Sequence, residues 1–114
     1  MNNGWFDVNK SKADEFFFVL KAANGEVVMT SEMYSSRTNA DNGIMSVQTN
    51  SAEDFNYERA TAADGRFHFN LKAPSNHQVI GSSQMYATME TREVGIESVK
   101  ANGKSTVIKD NTRS

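Results

Sequence analysis

The chain has 114 residues, a formal charge of -2 and no cysteine. That length suits one compact domain, because two separate units of half the size would each bury too little surface. Disulfides, thiolate chemistry and cysteine-ligated metals are excluded, and with neither sign of charge gathered into a run, nothing general points to nucleic acid or an anionic membrane.

Trp5 to Lys10 reads as a short strand with Phe6 and Val8 on one face. The segment before it, MNNGWFDVNK in full, has no basic region leading into an apolar run, so it does not read as a secretory leader. The longest apolar run, Phe16 to Leu20, is far too short for a membrane span. A cytoplasmic location is expected. Ser11 to Asp14 is a polar turn. Glu15 to Ala22, rich in aromatic and branched residues, is the strongest strand. Asn24-Gly25 predicts a two-residue type I′ hairpin. That register pairs Ala22 with Val27 and Leu20 with Met29. It places Val27 and Met29 on the core face and Val28 and Thr30 on the outer face.

Ser31 to Val47 reads SEMYSSRTNADNGIMSV. Ser35 or Ser36 can cap a helix, and Ala40, Gly43, Ile44 and Val47 fall at i, i+3, i+4 and i+7, one amphipathic face. A glycine inside a helix costs about 0.5–1 kcal/mol relative to alanine, so Gly43 implies a close approach to the sheet or to another helix. Asn50 stands where a left-handed cap would end the helix.

The chain then runs through the same pattern again. Phe55 to Thr61 is extended, Ala63-Asp64-Gly65 is a turn, and Arg66 to Ala73 repeats the strong strand. Pro74-Ser75-Asn76-His77 replaces the tight hairpin with a wider loop. The second helix has Thr88 as its cap, Arg92, Gly95, Ile96 and Val99 as its stripe, and Asn102 as its stop. Arg92 is expected to lay its alkyl stem along the edge with its head in water. Ser105 to Lys109 is a last short strand, and 111–114 should fray. Phe16/Phe67, Phe18/Phe69, Leu20/Leu71, Ser31/Ser83, Tyr34/Tyr86, Gly43/Gly95, Ile44/Ile96, Ser46/Ser98 and Val47/Val99 match between the copies, with one extra residue in the second hairpin loop. Comparing copies resolves the faces. Phe16, Phe18, Leu20 and Ala22 stay apolar, so they face the core. Phe17, Val19 and Lys21 become His68, Asn70 and Lys72, so they face outward. The expectation is an α+β, two-layer single domain over 1–114, built from repeats at about 5–56 and 57–110. One antiparallel sheet carries both helices on one face.

Three linked motifs carry a family resemblance. They are Phe18-x-Leu20-Lys21-Ala22-Ala23-Asn24-Gly25, Ser31-Glu32-x-Tyr34-x-Ser36 and Asn42-Gly43-Ile44-x-Ser46-Val47. Together they resemble the YegP-like family of small bacterial proteins, over nearly the whole chain. The resemblance implies two β-β-β-α-β units that share one sheet and exchange their C-terminal strands, and a monomer with an internal pseudo-two-fold. The second copy departs from the motifs at His77, Gln84 and Val94. No activity, cofactor or catalytic residue comes with the resemblance.

The chemistry-bearing residues are sparse. His68 and His77 have no carboxylate spacing beside them that suggests a metal site. Gly103-Lys104-Ser105 ends like a phosphate loop, but Ser98 stands where the first glycine is needed and the segment follows a helix. No serine has a histidine–carboxylate partner. No catalytic residue, metal or cofactor is therefore expected. The duplicated set Lys21/Lys72, Ser31/Ser83, Tyr34/Tyr86 and Ser46/Ser98 could form a symmetric small-molecule enzyme site near the pseudo-two-fold. The simpler reading makes Ser36, Thr88, Gly43, Gly95, Tyr34 and Tyr86 structural repeat positions, serving as caps, close contacts and anchors. The outer sheet face, with Trp5, Phe17, Val19 and Val28 beside Lys21 and Lys72, is the preferred binding surface. It suggests a non-enzymatic interaction module for an unidentified protein partner, with weak self-association as a variant. A single-stranded nucleic-acid binder, using the same aromatics with Lys21, Lys72 and Arg59, is the alternative that net acidity disfavours.

Overall fold

The computed structural model describes residues 4–112. It contains strands β1 (Trp5–Lys10), β2 (Phe16–Lys21) and β3 (Val27–Ser31), then helix α1 (Arg37–Asn50). A single 3-10 turn, Asp54–Asn56, leads into β4 (Tyr57–Thr61), β5 (Phe67–Lys72) and β6 (Val79–Ser82), followed by α2 (Met89–Asn102) and β7 (Ile108–Asp110). All seven strands join one sheet in the order β4-β5-β6-β3-β2-β1-β7. The first six positions are symmetric about the β6–β3 junction, where Thr30 faces Ser82 and Ser31 faces Gly81. The pseudo-two-fold expected from the repeat passes there.

Both helices cover one face, and one core results. Phe6, Val8, Phe18, Leu20, Phe69 and Leu71 from the sheet are fully buried with Ile44, Val47, Ile96 and Val99 from the helices. Neither half could close this core alone, since α1 touches β6 of the other repeat as well as β2, and α2 touches β3 as well as β5. Helix starts follow the sequence. Ser36 Oγ accepts from Asn39 N at 3.1 Å, and Thr88 Oγ1 accepts from Thr91 N at 3.0 Å within a reciprocal capping box.

The sheet is mixed, because β7 runs parallel to β1. The chain returns from α2 beside the start of β1, where Ser105 Oγ donates to Gly4 O at 2.7 Å and Phe6 N to Val107 O at 2.9 Å. Starting at the same end, the two strands must run the same way. The strand exchange is one-sided, since the chain after α1 turns through Asp54–Asn56 straight into β4. Asn111, expected to fray, donates its N–H to Val8 O at 2.8 Å and extends this pairing, while Thr112 N donates to Asp110 Oδ1 at 2.8 Å. Arg113 and Ser114 lie outside the described residues.

Three local expectations are corrected. The Asn24-Gly25 hairpin is not a type I′ turn. Ala22 N donates to Glu26 O, Gly25 N donates to Ala22 O, and only Gly25 has positive φ, at 87°. The loop therefore uses three residues. It forces a bulge, so that Leu20 faces Met29 but Lys21 faces Val27. Val28 is thereby turned into the core, 8% exposed, and Val27 is left 44% exposed. The second repeat has the same bulge between Leu71 and Lys72, with Ile80 buried in the place of Val28 and His77 at φ 58° in the place of Gly25. Arg92 is nearly buried and does not hold its head in water. It is 8% exposed, lies over the Phe67 ring at 5.5 Å, and donates to Ala60 O. Asn50 and Asn102 are not left-handed caps, because both helices end on right-handed residues, Ser51 and Gly103. Each asparagine instead bonds back one turn, to Ser46 Oγ and to Ser98 O.

Candidate functional surfaces

The sheet's outer face is the first candidate, and neither helix covers it. β1 and β2 present Trp5, Asp7, Phe17, Val19 and Lys21 there, with Trp5 directly opposite Lys21 and Asp7 opposite Val19. Asp7 is the centre of the cluster. Its carboxylate accepts from Trp5 Nε1 at 3.0 Å and pairs with Lys21 Nζ at 3.0 Å, and Lys109 of β7 lies 4.0 Å over the indole ring. These neighbours leave Asp7 only 6% exposed, whereas Trp5, Phe17 and Val19 are each half-buried.

The second repeat builds the equivalent face from polar groups. Glu58 stands where Asp7 does and pairs with Lys72 at 3.0 Å. Asn70, in the place of Val19, donates to Glu58 and accepts from Ser82. The bonds from Asn70 and then Lys72 hold the Glu58 carboxyl below its usual range. Of the residues expected on this face, the structure groups Trp5, Phe17, Val19 and Lys21, and sets Lys72 on the other half. It removes Val28 to the core for the reason given above. Sequence reasoning missed Asp7, although an acid recurring diagonally across from a recurring lysine (Asp7/Lys21, Glu58/Lys72) was a usable signal.

The second candidate is a pair of grooves on the helix side. They grow from the repeated tyrosine and glycine. Tyr34 bridges to Phe16 through two 2.7 Å backbone bonds, and its ring stacks on Phe18 with centroids 6.3 Å apart. Its hydroxyl lies against Gly43, where an added Cβ would sit 2.5 Å from Tyr34 Oη. Tyr86, Phe69 and Gly95 repeat the arrangement. The mid-helix glycine is thus explained by the tyrosine that precedes its own helix. Ser31 and Ser83 also serve the fold, since their hydroxyls accept from Phe18 N at 2.8 Å and Phe69 N at 3.0 Å.

Beside each tyrosine, a groove opens towards the hairpin of the other repeat. One, of about 590 Å³, runs from Glu32, Tyr34, Gly43 and Ser46 to Gln78 and Val79. The other, of about 350 Å³, runs from Gln84, Tyr86, Gly95 and Ser98 to Glu26 and Val27. Burial, and after it the charge of Glu32, pushes the Tyr34 hydroxyl above its ordinary pKa. The duplicated Tyr and Ser therefore line two separate grooves, one per helix, instead of meeting at a single axial site. Among the described residues no group of three or more His, Asp or Glu side chains could hold a metal ion, and no helix is long and apolar enough to cross a membrane.

Comparison with known proteins gives the family. A model described as "Domain of unknown function (DUF1508)" matches twice, at residues 11–58 and 62–110. The chain is 60% identical to the UPF0339 protein YegP of Escherichia coli K12 over 109 residues, covering 96% of this chain and 98% of that one. It is 51% identical to a UPF0339 protein of Acinetobacter baylyi over 110 residues, with 96% and 98% covered. The solution NMR structure of Escherichia coli yegP, itself a protein of unknown function, superposes with a TM-score of 0.94 at 58% identity, over 100% of this chain and 97% of that one. The NMR structure of a UPF0339 protein from Shewanella oneidensis gives 0.91 at 53% identity, over 96% and 92%. With two matches in tandem and relatives aligned almost end to end, the chain belongs to the DUF1508 family of YegP-like UPF0339 proteins.

Proposed function

We infer that the chain is a non-enzymatic interaction module of the cytoplasm, a monomer that docks a protein partner on the outer face of its sheet. The observation that carries this reading is the half-face of the first repeat that neither helix covers. There Trp5, Phe17 and Val19 remain partly accessible around the Asp7–Lys21 pair. An aromatic and aliphatic patch beside a fixed charge pair suits the centre of a protein interface. A nucleic-acid platform is less favoured, because Lys21 and Lys72 are each already paired with a carboxylate and the chain is net acidic.

The test compares the full chain with Phe17→Asp, whose fold is first checked by NMR. Affinity capture from a bacterial extract should retain a partner on the parent chain and lose it on the variant, and sedimentation over a concentration series reads self-association. Equal capture by a folded variant would remove the outer face as the docking site.

A further inference from the structure

We propose that the two helix-side grooves are paired, equivalent sites for a ligand with an alkylammonium or guanidinium head. These grooves lie on the opposite side of the sheet from the outer face and share no lining with it.

Each groove exists only because the repeats interlock. One wall is a repeat's own tyrosine and helix, and the other is the partner repeat's hairpin. Tyrosine hydroxyl, glycine and serine recur in both grooves. The acidic residue does not recur by position. Glu32 in the first groove corresponds to Gln84 in the second, and Gln78 in the first corresponds to Glu26 in the second. The two changes offset each other. Each groove holds a single carboxylate facing a glutamine on the opposite wall, with the walls exchanged, and the first groove adds Asn76 beside its glutamine. Random drift in the two copies has no reason to hold that sum, whereas a requirement for one negative charge per groove does.

The rest of the lining is complementary to a cation on an aliphatic stem. No lysine or arginine lines either groove among the described residues. Met33 and Val79 in one, and Val27 and Val94 in the other, offer apolar surface to the stem, with the nearly buried Ile80 and Val28 behind them. The hydroxyls and the carboxamide oxygen can accept the remaining N–H bonds of the head. The Tyr34 hydroxyl is pushed above its ordinary pKa first by burial and only then by the charge of Glu32, which places that carboxylate within electrostatic reach of it. Such a head could belong to a free amine or to the side chain of a basic protein segment.

The experiment is a low-salt NMR titration of the full chain with agmatine, and in a second arm with an acetylated, amidated Gly-Lys-Gly peptide. The amides of Gly43 and Gly95 report the two grooves separately. Two equivalents of agmatine should bind, with both reporters moving. Glu32→Gln should abolish the response at Gly43 alone, and Glu26→Gln the response at Gly95 alone. Both substitutions should fold, since each puts into one repeat the residue its counterpart already carries. Response to the peptide as well would assign a protein side chain as the source, and response to agmatine alone a free amine. Still reporters, shifts spread evenly over all acidic residues, or responses unchanged by the substitutions would overturn the proposal.

Discussion

Replacing Gly43 by alanine should destabilise the protein, although the same change in an exposed helix stabilises by about 1 kcal/mol. A Cβ at Gly43 would lie 2.5 Å from Tyr34 Oη and 2.9 Å from both Tyr34 Cζ and Phe18 Cε2. Tyr34 cannot simply swing away. Its backbone is tied to Phe16 on both sides, and its ring stacks on Phe18, which is fully buried. Overpacking of this kind costs about 1–3 kcal/mol. Offset by the helix gain, the net loss should be about 1 kcal/mol, or about 4 °C in Tm for a domain of this size. Urea unfolding with an unchanged m-value measures it. A double-mutant cycle isolates the cause. In a Tyr34→Ala background the Phe18 ring can shift into the space left beside it, so Gly43→Ala should lose most of its cost, giving a coupling of about 1 kcal/mol. If Gly43→Ala stabilises the parent chain, the tyrosine is not what demands the glycine. Gly95 and Tyr86 should behave alike.

The bulge makes a second prediction. Val28→Ala should cost about 2 kcal/mol, because it empties a buried site, while Val19→Ala on the half-exposed face should cost less than about 1 kcal/mol. Equal losses in urea unfolding would restore the simple two-residue hairpin. The acid limb gives a third. Bonds from Arg59 and then Lys100 lower the Asp54 pKa to about 2, and Asp110 is lowered by Thr112 and Arg37. A carboxyl whose pKa is lower folded than unfolded stabilises above its unfolded pKa, and that contribution is lost as pH falls through the folded value. The Asp54 contribution should therefore be complete above about pH 4 and disappear by about pH 2. Asp54→Asn should flatten the stability curve in that window, and a parallel curve would count against the bonded carboxylate. The effect should shrink in high salt, because these groups are exposed.

Most of the fold was legible because the chain states its pattern twice. One copy alone leaves Phe16 to Lys21 ambiguous, since both faces are apolar. His68 and Asn70 in the second copy separate them, and the buried set Phe18, Leu20, Phe69 and Leu71 follows that separation. Caps at Ser36 and Thr88 were equally legible, because capping depends on local hydrogen bonds. What failed was set by backbone counting or by distant partners. Asn-Gly favours a two-residue turn, yet a three-residue loop closed by Gly25 won, and that single residue moved Val28 from the outer face to the core. Arg92 looked like a snorkelling residue, but Phe67 and Ala60 O lie on strands that sequence spacing cannot bring to it. The parallel placement of β7 depends on where α2 releases the chain, which no local pattern records. The grooves were hidden for the same reason, since each takes a wall from either repeat.

The two surfaces differ in how duplication constrains them. On the outer face the acid–lysine pair persists in both repeats, as Asp7/Lys21 and Glu58/Lys72, but its neighbours diverge from Trp5, Phe17 and Val19 to Asn56, His68 and Asn70. A function there belongs to one repeat, and a single docked partner would satisfy it. On the helix side, tyrosine, glycine and serine persist, and the acid changes walls without changing the charge of the groove. A function there is required of both repeats, so it predicts two bound ligands per chain. Stoichiometry thus separates the surfaces before any ligand is named. One equivalent lost with Phe17→Asp assigns the sheet, and two equivalents lost one at a time with Glu32→Gln and Glu26→Gln assign the grooves.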